Sequence, residues 1–307
     1  MSVAPKFTDN PTSRPIVAGI EMPAFNRIEV EPLTGAAGAE IPGVDLKKPL
    51  DGPTLEDVRR AFDHFLVLVF RDQDLTVEEH KRFSEYFGPI TELPQAPLHP
   101  GYTDVQEVRR EADEPISVIV GQRFHSDSPF LQQPPLAIAM RALEVPRYGG
   151  DTAFSNMHLA YDGLSESLKE TLADLKIVYS LQKVMAQNAA RAKKDQFRAR
   201  EKHDFTSEEL ESAHPVVRTH PRTGRKALYC VPGYAHKFEG WTEEESQPLI
   251  QYLSRLAYSP AYQCRVHWKK DTIIIWDNRF LQHAGVHDYS GERRHLIRTT
   301  IKGERPA

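Results

Sequence analysis

Most apolar residues of this chain fall in short runs or alternate with polar ones, the pattern of buried or half-buried strands. Residues 25–30 (Phe-Asn-Arg-Ile-Glu-Val) alternate, 67–70 (Val-Leu-Val-Phe) are continuously apolar, and strand patterns crowd together at 105–109, 123–127, 136–143 and 151–155. Residues 216–230 predict a hairpin around Pro221-Arg222-Thr223-Gly224, and three more strands follow at 262–268, 272–276 and 295–301. Helical spacing interrupts this pattern at 54–65, 76–87, 161–175 and 241–257. In the first, Leu55, Val58, Ala61, Phe62 and Phe65 share a face and Thr54 is the expected N-cap. The second opens on Thr76-Val77-Glu78-Glu79, the form of a capping box, and closes at Gly88. The last opens on Thr242-Glu243-Glu244-Glu245.

Strands broken by a few helices, without βαβ alternation or an internal repeat, predict a mainly β protein with flanking helices: a double-stranded β-helix, or jelly roll. Residues 1–24, rich in Pro, Ser and Thr without periodicity, predict a flexible arm, and 25–307 a single jelly-roll domain. Four prolines between 89 and 102 mark a long loop, a common place for binding elements. Between 183 and 212 Ala, Arg, Lys, Gln and Glu displace the large apolar residues, so this stretch is a solvated helix, a disordered segment or a mobile lid.

Composition narrows the function classes. The 307 residues are 40% hydrophobic and 27% charged, as in an ordinary soluble protein. A net charge of -4 lacks the basic surplus of a nucleic-acid binder. No apolar run approaches the roughly 18 residues of a membrane span, and no secretory leader pattern is present. Neither nucleic acid nor membrane is therefore an expected partner, and a homo-oligomer is the expected assembly. The two cysteines, Cys230 and Cys264, form neither a disulfide framework nor a zinc ribbon, and fit a reducing, cytoplasmic compartment.

The candidate chemistry begins at His125-Ser126-Asp127. Residues two apart project from one face of an extended segment. A bare His-x-Asp is common and carries little alone. Its weight comes from Gly149-Gly150-Asp151-Thr152 after it, from the distant Trp276-Asp277-Asn278-Arg279-Phe280-Leu281-Gln282-His283, and from Arg294 and Arg298 beyond. With His283 as third donor, two imidazoles and a carboxylate suit Fe(II) and leave positions open for a cosubstrate and O₂. A structural metal would take four ligands in a closed shell. Gly149-Gly150 is too little to bind a dinucleotide, so the electrons for an oxidation must come from elsewhere. A small 2-oxo acid chelating the metal would supply them, and its far carboxylate would need a cation. Arg294 and Arg298, four apart and so on one strand face, each offer a bidentate fork; a surface salt bridge is the competing role for Arg294.

Together these motifs resemble the Fe(II)/2-oxoglutarate-dependent dioxygenases of the taurine dioxygenase type, over residues 25–306. Glu31-Pro32-Leu33-Thr34-Gly35, Gly43-Val44-Asp45-Leu46 and Arg298-Thr299-Thr300-Ile301 add to the likeness. Within that family it runs to the aryloxyalkanoate (phenoxypropionate-type) enzymes, through His214-Pro215-Val216-Val217, Gly224-Arg225-Lys226-Ala227-Leu228-Tyr229 and Val266-His267-Trp268-Lys269-Lys270-Asp271. The resemblance implies iron on His125, Asp127 and His283, 2-oxoglutarate bound through Thr152 and Arg294, and O₂ as the oxidant. It implies no catalytic side chain beyond the metal ligands. A small anionic organic substrate would meet Arg298 and the backbone of Ser128. His99 and Tyr102, in the loop where relatives place a substrate-contacting His, are further substrate-binding candidates.

Departures from the family pattern bear on the substrate. Phe124 replaces a Trp that often precedes the first ligand, Gly121 stands near an Asn of taurine dioxygenase, and Cys230-Val231 replaces Val-Asn. The expected pocket is more apolar, favouring a hydrophobic carboxylate such as an aryloxyalkanoate over taurine. Hydroxylation beside a heteroatom would then cleave the substrate. Oxidation of taurine, an alkylsulfonate or an alkyl sulfate, a biosynthetic hydroxylation or desaturation, and a non-catalytic jelly-roll binding protein are the alternatives.

Overall fold

Alternate side chains of the same strands feed two separate cores, and that division positions everything else. The computed structural model describes residues 22–92, 97–114, 121–182, 184–185 and 210–307. In chain order the first elements are β1 (Glu31–Pro32), β2 (Ala39–Glu40), α1 (Gly52–Phe65), β3 (Val67–Phe70), α2 (Val77–Glu85), β4 (Val105–Arg110) and β5 (Ala137–Glu144). Then come β6 (Thr152–Asn156), α3 (Met157–Asp162), α4 (Glu166–Leu172), β7 (Lys176–Ser180), β8 (Glu211–Pro215), β9 (Val217–Thr219) and β10 (Lys226–Leu228). The last are β11 (Ala235–Phe238), α5 (Glu243–Leu256), β12 (Gln263–Val266), β13 (Ile273–Asp277), β14 (Leu281–Gly285) and β15 (Arg294–Ile301).

Seven strands form one sheet in the order β1-β2-β3-β13-β5-β15-β4, and smaller sheets β12-β6-β14, β11-β7-β8 and β10-β9 complete the fold. Val67 and Val69, Ile138 and Met140, Ile274 and Trp276, and Leu296 point from the large sheet into a core shared with Phe154, Tyr179, Leu228, Val266 and Leu281 of the smaller ones. Their neighbours Leu68, Phe70, Ala137, Ala139, Ile273 and Ile275 point the other way, onto Val58, Phe62 and Phe65 of α1 and Phe83 of α2. A sheet buried on both faces needs apolar residues at every position, hence the unbroken runs in β3 and β13. The architecture is the mainly β, helix-flanked jelly roll that the sequence predicts. No helix among the described residues is long and apolar enough to cross a membrane.

Several predicted elements change. Asp51, not Thr54, caps α1: its carboxylate accepts from the Thr54 N–H, and Pro53 sits in the first turn, where its missing N–H costs nothing. The capping boxes Thr76/Glu79 and Thr242/Glu245 both form. Residues 25–30 make no strand, because Asn26 and Arg27 give their N–H groups to the Asp57 carboxylate of α1 instead of to a ladder. The helix predicted at 161–175 is two helices broken at Gly163, where a Cβ would lie 2.5 Å from the Tyr262 hydroxyl. Residues 123–127 hold a single bridge, His125 to His283, rather than a strand. The predicted arm (1–24) and lid (183–212) lie outside the described residues except for 22–24, 184–185 and 210–212.

Candidate metal centre and its surroundings

β14 carries His283, directly opposite Phe154 of β6, and Trp276 of β13 packs against its ring at 4.9 Å between centroids. The 125–127 segment is stitched onto this region by three different contacts. His125 and His283 exchange backbone hydrogen bonds of 3.0 and 2.8 Å. The Ser126 hydroxyl donates to the Leu281 carbonyl at 2.9 Å. The buried Asn278 side chain accepts from the Asp127 N–H at 2.7 Å and donates to the Asp127 carbonyl at 3.1 Å. The result brings the two imidazole rings to 4.2 Å between centroids.

His125 Nε2 and His283 Nε2 stand 3.6 and 4.0 Å from Asp127 Oδ1. Among the described residues, this is the one group of three His, Cys, Asp or Glu whose donor atoms all lie within 4.8 Å of one another. Burial works against the Asp127 charge, but Arg298 and then the two imidazoles outweigh it and hold the carboxyl down at about 2. Burial, with His125 adding to it, lowers the His283 imidazole to about 3. A carboxylate and a neutral imidazole are the forms that bind a divalent metal. The His125 Nδ1 meets the Arg123 carbonyl at 2.8 Å, which fixes that ring. A Cβ at Gly121 would touch the same ring, 3.4 Å from Cε1.

Both predicted arginines of β15 face this side of the sheet, in different surroundings. Arg298 donates through Nη1 to Asp127 Oδ2 at 2.9 Å and through Nε to Gln106 Oε1 of β4 at 2.7 Å. Arg294 is 9% exposed, lies over the Trp268 ring at 5.8 Å, and leaves its Nε without a hydrogen-bond partner among the described residues. Burial lowers its pKa to about 10. Asp151 attracts it electrostatically, but a buried guanidinium with an unbonded N–H is costly, and an anionic ligand would relieve it. Trp268 also donates from its indole to the Thr152 hydroxyl at 3.0 Å, so one ring joins the two residues expected to bind 2-oxoglutarate. Gly149 lies against Asp288, and Gly150 against the Arg294 stem. Both have left-handed φ (74° and 68°), a Cβ on Gly150 would press within 3.3 Å of Arg294 Cδ and Nε, and one on Gly149 would strike Asp288 at 2.5 Å.

The remaining predicted residues divide. Ser128 follows Asp127 directly, buried and left-handed at φ 49°. His99 and Tyr102 do not join the site. His99 Nδ1 is 3.1 Å from Glu107 Oε1, and successive residues of a strand point to opposite faces, so Glu107 faces away from the side where Gln106 meets Arg298. Tyr102 lies beside His99 and under Lys81 of α2. Phe124 packs edge-on against Tyr258 at 5.1 Å and Val231 is wholly buried, so both substitutions fill the core. Gln106, Trp268 and Asn278 take part without having been predicted; the last two stand inside motifs already singled out.

Two imidazoles and one carboxylate whose donor atoms lie within 4.8 Å of one another are ligand types that suit Fe(II), and a buried arginine lies on the same side of the sheet. Residues 29–300 match the family described as "Taurine catabolism dioxygenase TauD, TfdA family", and the chain belongs to that family. It is 32% identical over 279 residues to an alkylsulfatase of Acinetobacter baylyi, spanning 91% of this chain and 86% of that protein. It is 30% identical over 286 residues to the (S)-phenoxypropionate/alpha-ketoglutarate-dioxygenase of Sphingobium herbicidovorans, spanning 92% and 96%. Among solved structures, a taurine dioxygenase from Burkholderia xenovorans superposes with a TM-score of 0.76 at 31% identity, over 92% of this chain and 93% of that one. The protein is thus an Fe(II)/2-oxoglutarate-dependent dioxygenase, with O₂ as its oxidant.

Proposed function

We propose that this enzyme oxidises a small organic anion with an apolar body, a hydrophobic carboxylate of the aryloxyalkanoate kind, at the carbon bound to oxygen. His125, Asp127 and His283 would hold the iron, and Arg294 with Thr152 the distal carboxylate of 2-oxoglutarate. When bound, iron and 2-oxoglutarate supply the oxidising power, with 2-oxoglutarate converted to succinate and CO₂. The chain itself binds, orients and excludes water. Trp276 and Phe154 wall the His283 ring with aromatic carbon. Arg298, with the backbone of Ser128, faces the substrate anion and sets which carbon comes nearest the metal.

The observation that carries this reading is the Arg298 guanidinium 2.9 Å from Asp127, a cation at the edge of the donor set. It selects for negative charge on the substrate. Hydroxylation of a carbon bearing an ether oxygen gives a hemiketal, whose collapse releases a phenol. A second reading, oxidation of alkyl sulfates, is favoured by the likeness to the Acinetobacter alkylsulfatase. The unpaired, buried thiols of Cys230 and Cys264 support assignment to the cytoplasm.

The test is substrate-dependent succinate release from a panel of 2-aryloxypropionates, their methyl esters, alkyl sulfates and taurine. The aryloxy acids should react, with one phenol per succinate, and their esters should not. Esters reacting as well as acids would remove the anion requirement. Alkyl sulfates reacting faster than aryloxy acids would establish the second reading.

A further inference from the structure

What fixes Asp127 in space is not a strand. After the bridge between His125 and His283, an antiparallel ladder would next pair Asp127 with Leu281. It does not continue: the Ser126 hydroxyl takes the Leu281 carbonyl, and Ser128 turns the chain away with its left-handed φ of 49°. Both backbone groups of Asp127 go instead to one side chain, the Asn278 amide, at 2.7 and 3.1 Å.

Asn278 is itself buried and hydrogen-bonded through both side-chain polar atoms. It is 1% exposed, its second Nδ2 hydrogen bonds the Pro135 carbonyl at 3.1 Å, and its N–H bonds the Leu136 carbonyl at 2.9 Å. The next turn of chain is locked by Arg279, which forks onto Asp277 at 3.0 and 2.7 Å. We propose that Asn278 is a positioning residue for the metal: its amide replaces the missing strand partner of Asp127 and thereby sets where the ligand carboxylate stands relative to the two imidazoles. The inference rests on the reading of His125, Asp127 and His283 as the iron site.

Only an amide of this length meets the requirement, which is one acceptor and two donors on one rigid group. A carboxylate at this position would set its oxygen against the Asp127 and Pro135 carbonyls, beside the buried charge of Asp277. A hydroxyl, with a single donor, would satisfy at most two of the three groups. Glutamine has the right atoms one methylene too far out.

The experiment is a titration of metal-free protein with Mn(II), followed by the EPR signal of the free ion, with the melting temperature recorded for each variant. Asn278→Ser and Asn278→Asp should weaken Mn(II) binding by roughly 10–100-fold, the range seen when partners of metal ligands are removed. Ser126→Ala removes a hydrogen bond of the same segment without touching Asp127, and should change affinity by less than about threefold. Asn278→Gln serves where the smaller variants do not fold, with the same expected loss. Asn278 variants that fold and bind Mn(II) as the wild type does would overturn the inference, as would failure of all three to fold, which would make the residue a general requirement of the structure. Asp127→Ala is the control: if it keeps wild-type affinity, the metal-site reading itself fails.

Discussion

Among the described residues two carboxylates each lie within 4.0 Å of two histidines, and in one of these groups the three donor atoms all lie within 4.8 Å of one another. On the outer side of β4 and β15, Glu107 Oε1 lies 3.1 Å from His99 Nδ1 and 3.2 Å from His295 Nε2, while Arg109 meets its other oxygen at 3.2 Å. Both imidazoles there lie within hydrogen-bond distance of one carboxylate oxygen. On the inner side the imidazoles stand 3.6 and 4.0 Å from Asp127 Oδ1, too far for hydrogen bonds and close enough to share one ion. Both places hold two imidazoles, one carboxylate and an arginine. What differs is the spacing of the imidazoles about the carboxylate.

The inner side also holds Arg294, a buried guanidinium whose Nε has no hydrogen-bond partner among the described residues, and removing it should have the larger effect. Arg294→Gln removes a desolvated charge partner, a change worth on the order of 2–5 kcal/mol. The Michaelis constant for 2-oxoglutarate, read from succinate formation, should rise at least ~tenfold by the same principle. An unchanged constant would return Arg294 to a structural role. Gly150→Ala should raise the same constant less, because a Cβ there leans on the Arg294 stem and a left-handed alanine costs about 1–2 kcal/mol. The outer cluster should be nearly silent in catalysis. Glu107→Gln is expected to lower the melting temperature by about 2 °C, as a loss near 1 kcal/mol does in a protein of this size. Turnover and both Michaelis constants should hold. A marked rise in the substrate constant would place His99 back at the pocket.

The sequence reveals these regions unequally, for physical reasons. Strands buried on both faces, such as β3 and β13, announce themselves as apolar runs. β7, β8 and β11 are short and mixed in polarity, and β7 hides behind helical spacing that runs past Leu172. The alternation at 25–30 is real, yet a side chain, Asp57, satisfies its N–H groups. The three metal candidates were legible because ligand chemistry restricts residue type. His99 was grouped with Arg298 because sequence does not say which face of β4 the preceding loop meets; it meets Glu107, while Gln106 meets Arg298. Asn278 escaped because it acts through the backbone of its target, and no spacing rule encodes that contact.

We propose that the inner triad, and not the outer one, carries the iron to which 2-oxoglutarate binds. A 2-oxo acid chelating Fe(II) gives a visible charge-transfer band, which can be followed anaerobically without turnover. Wild-type protein with Fe(II) and 2-oxoglutarate should show the band, Glu107→Gln should keep it, and Asp127→Ala should lose it. A band that survives in Asp127→Ala, or vanishes in Glu107→Gln, would contradict the assignment.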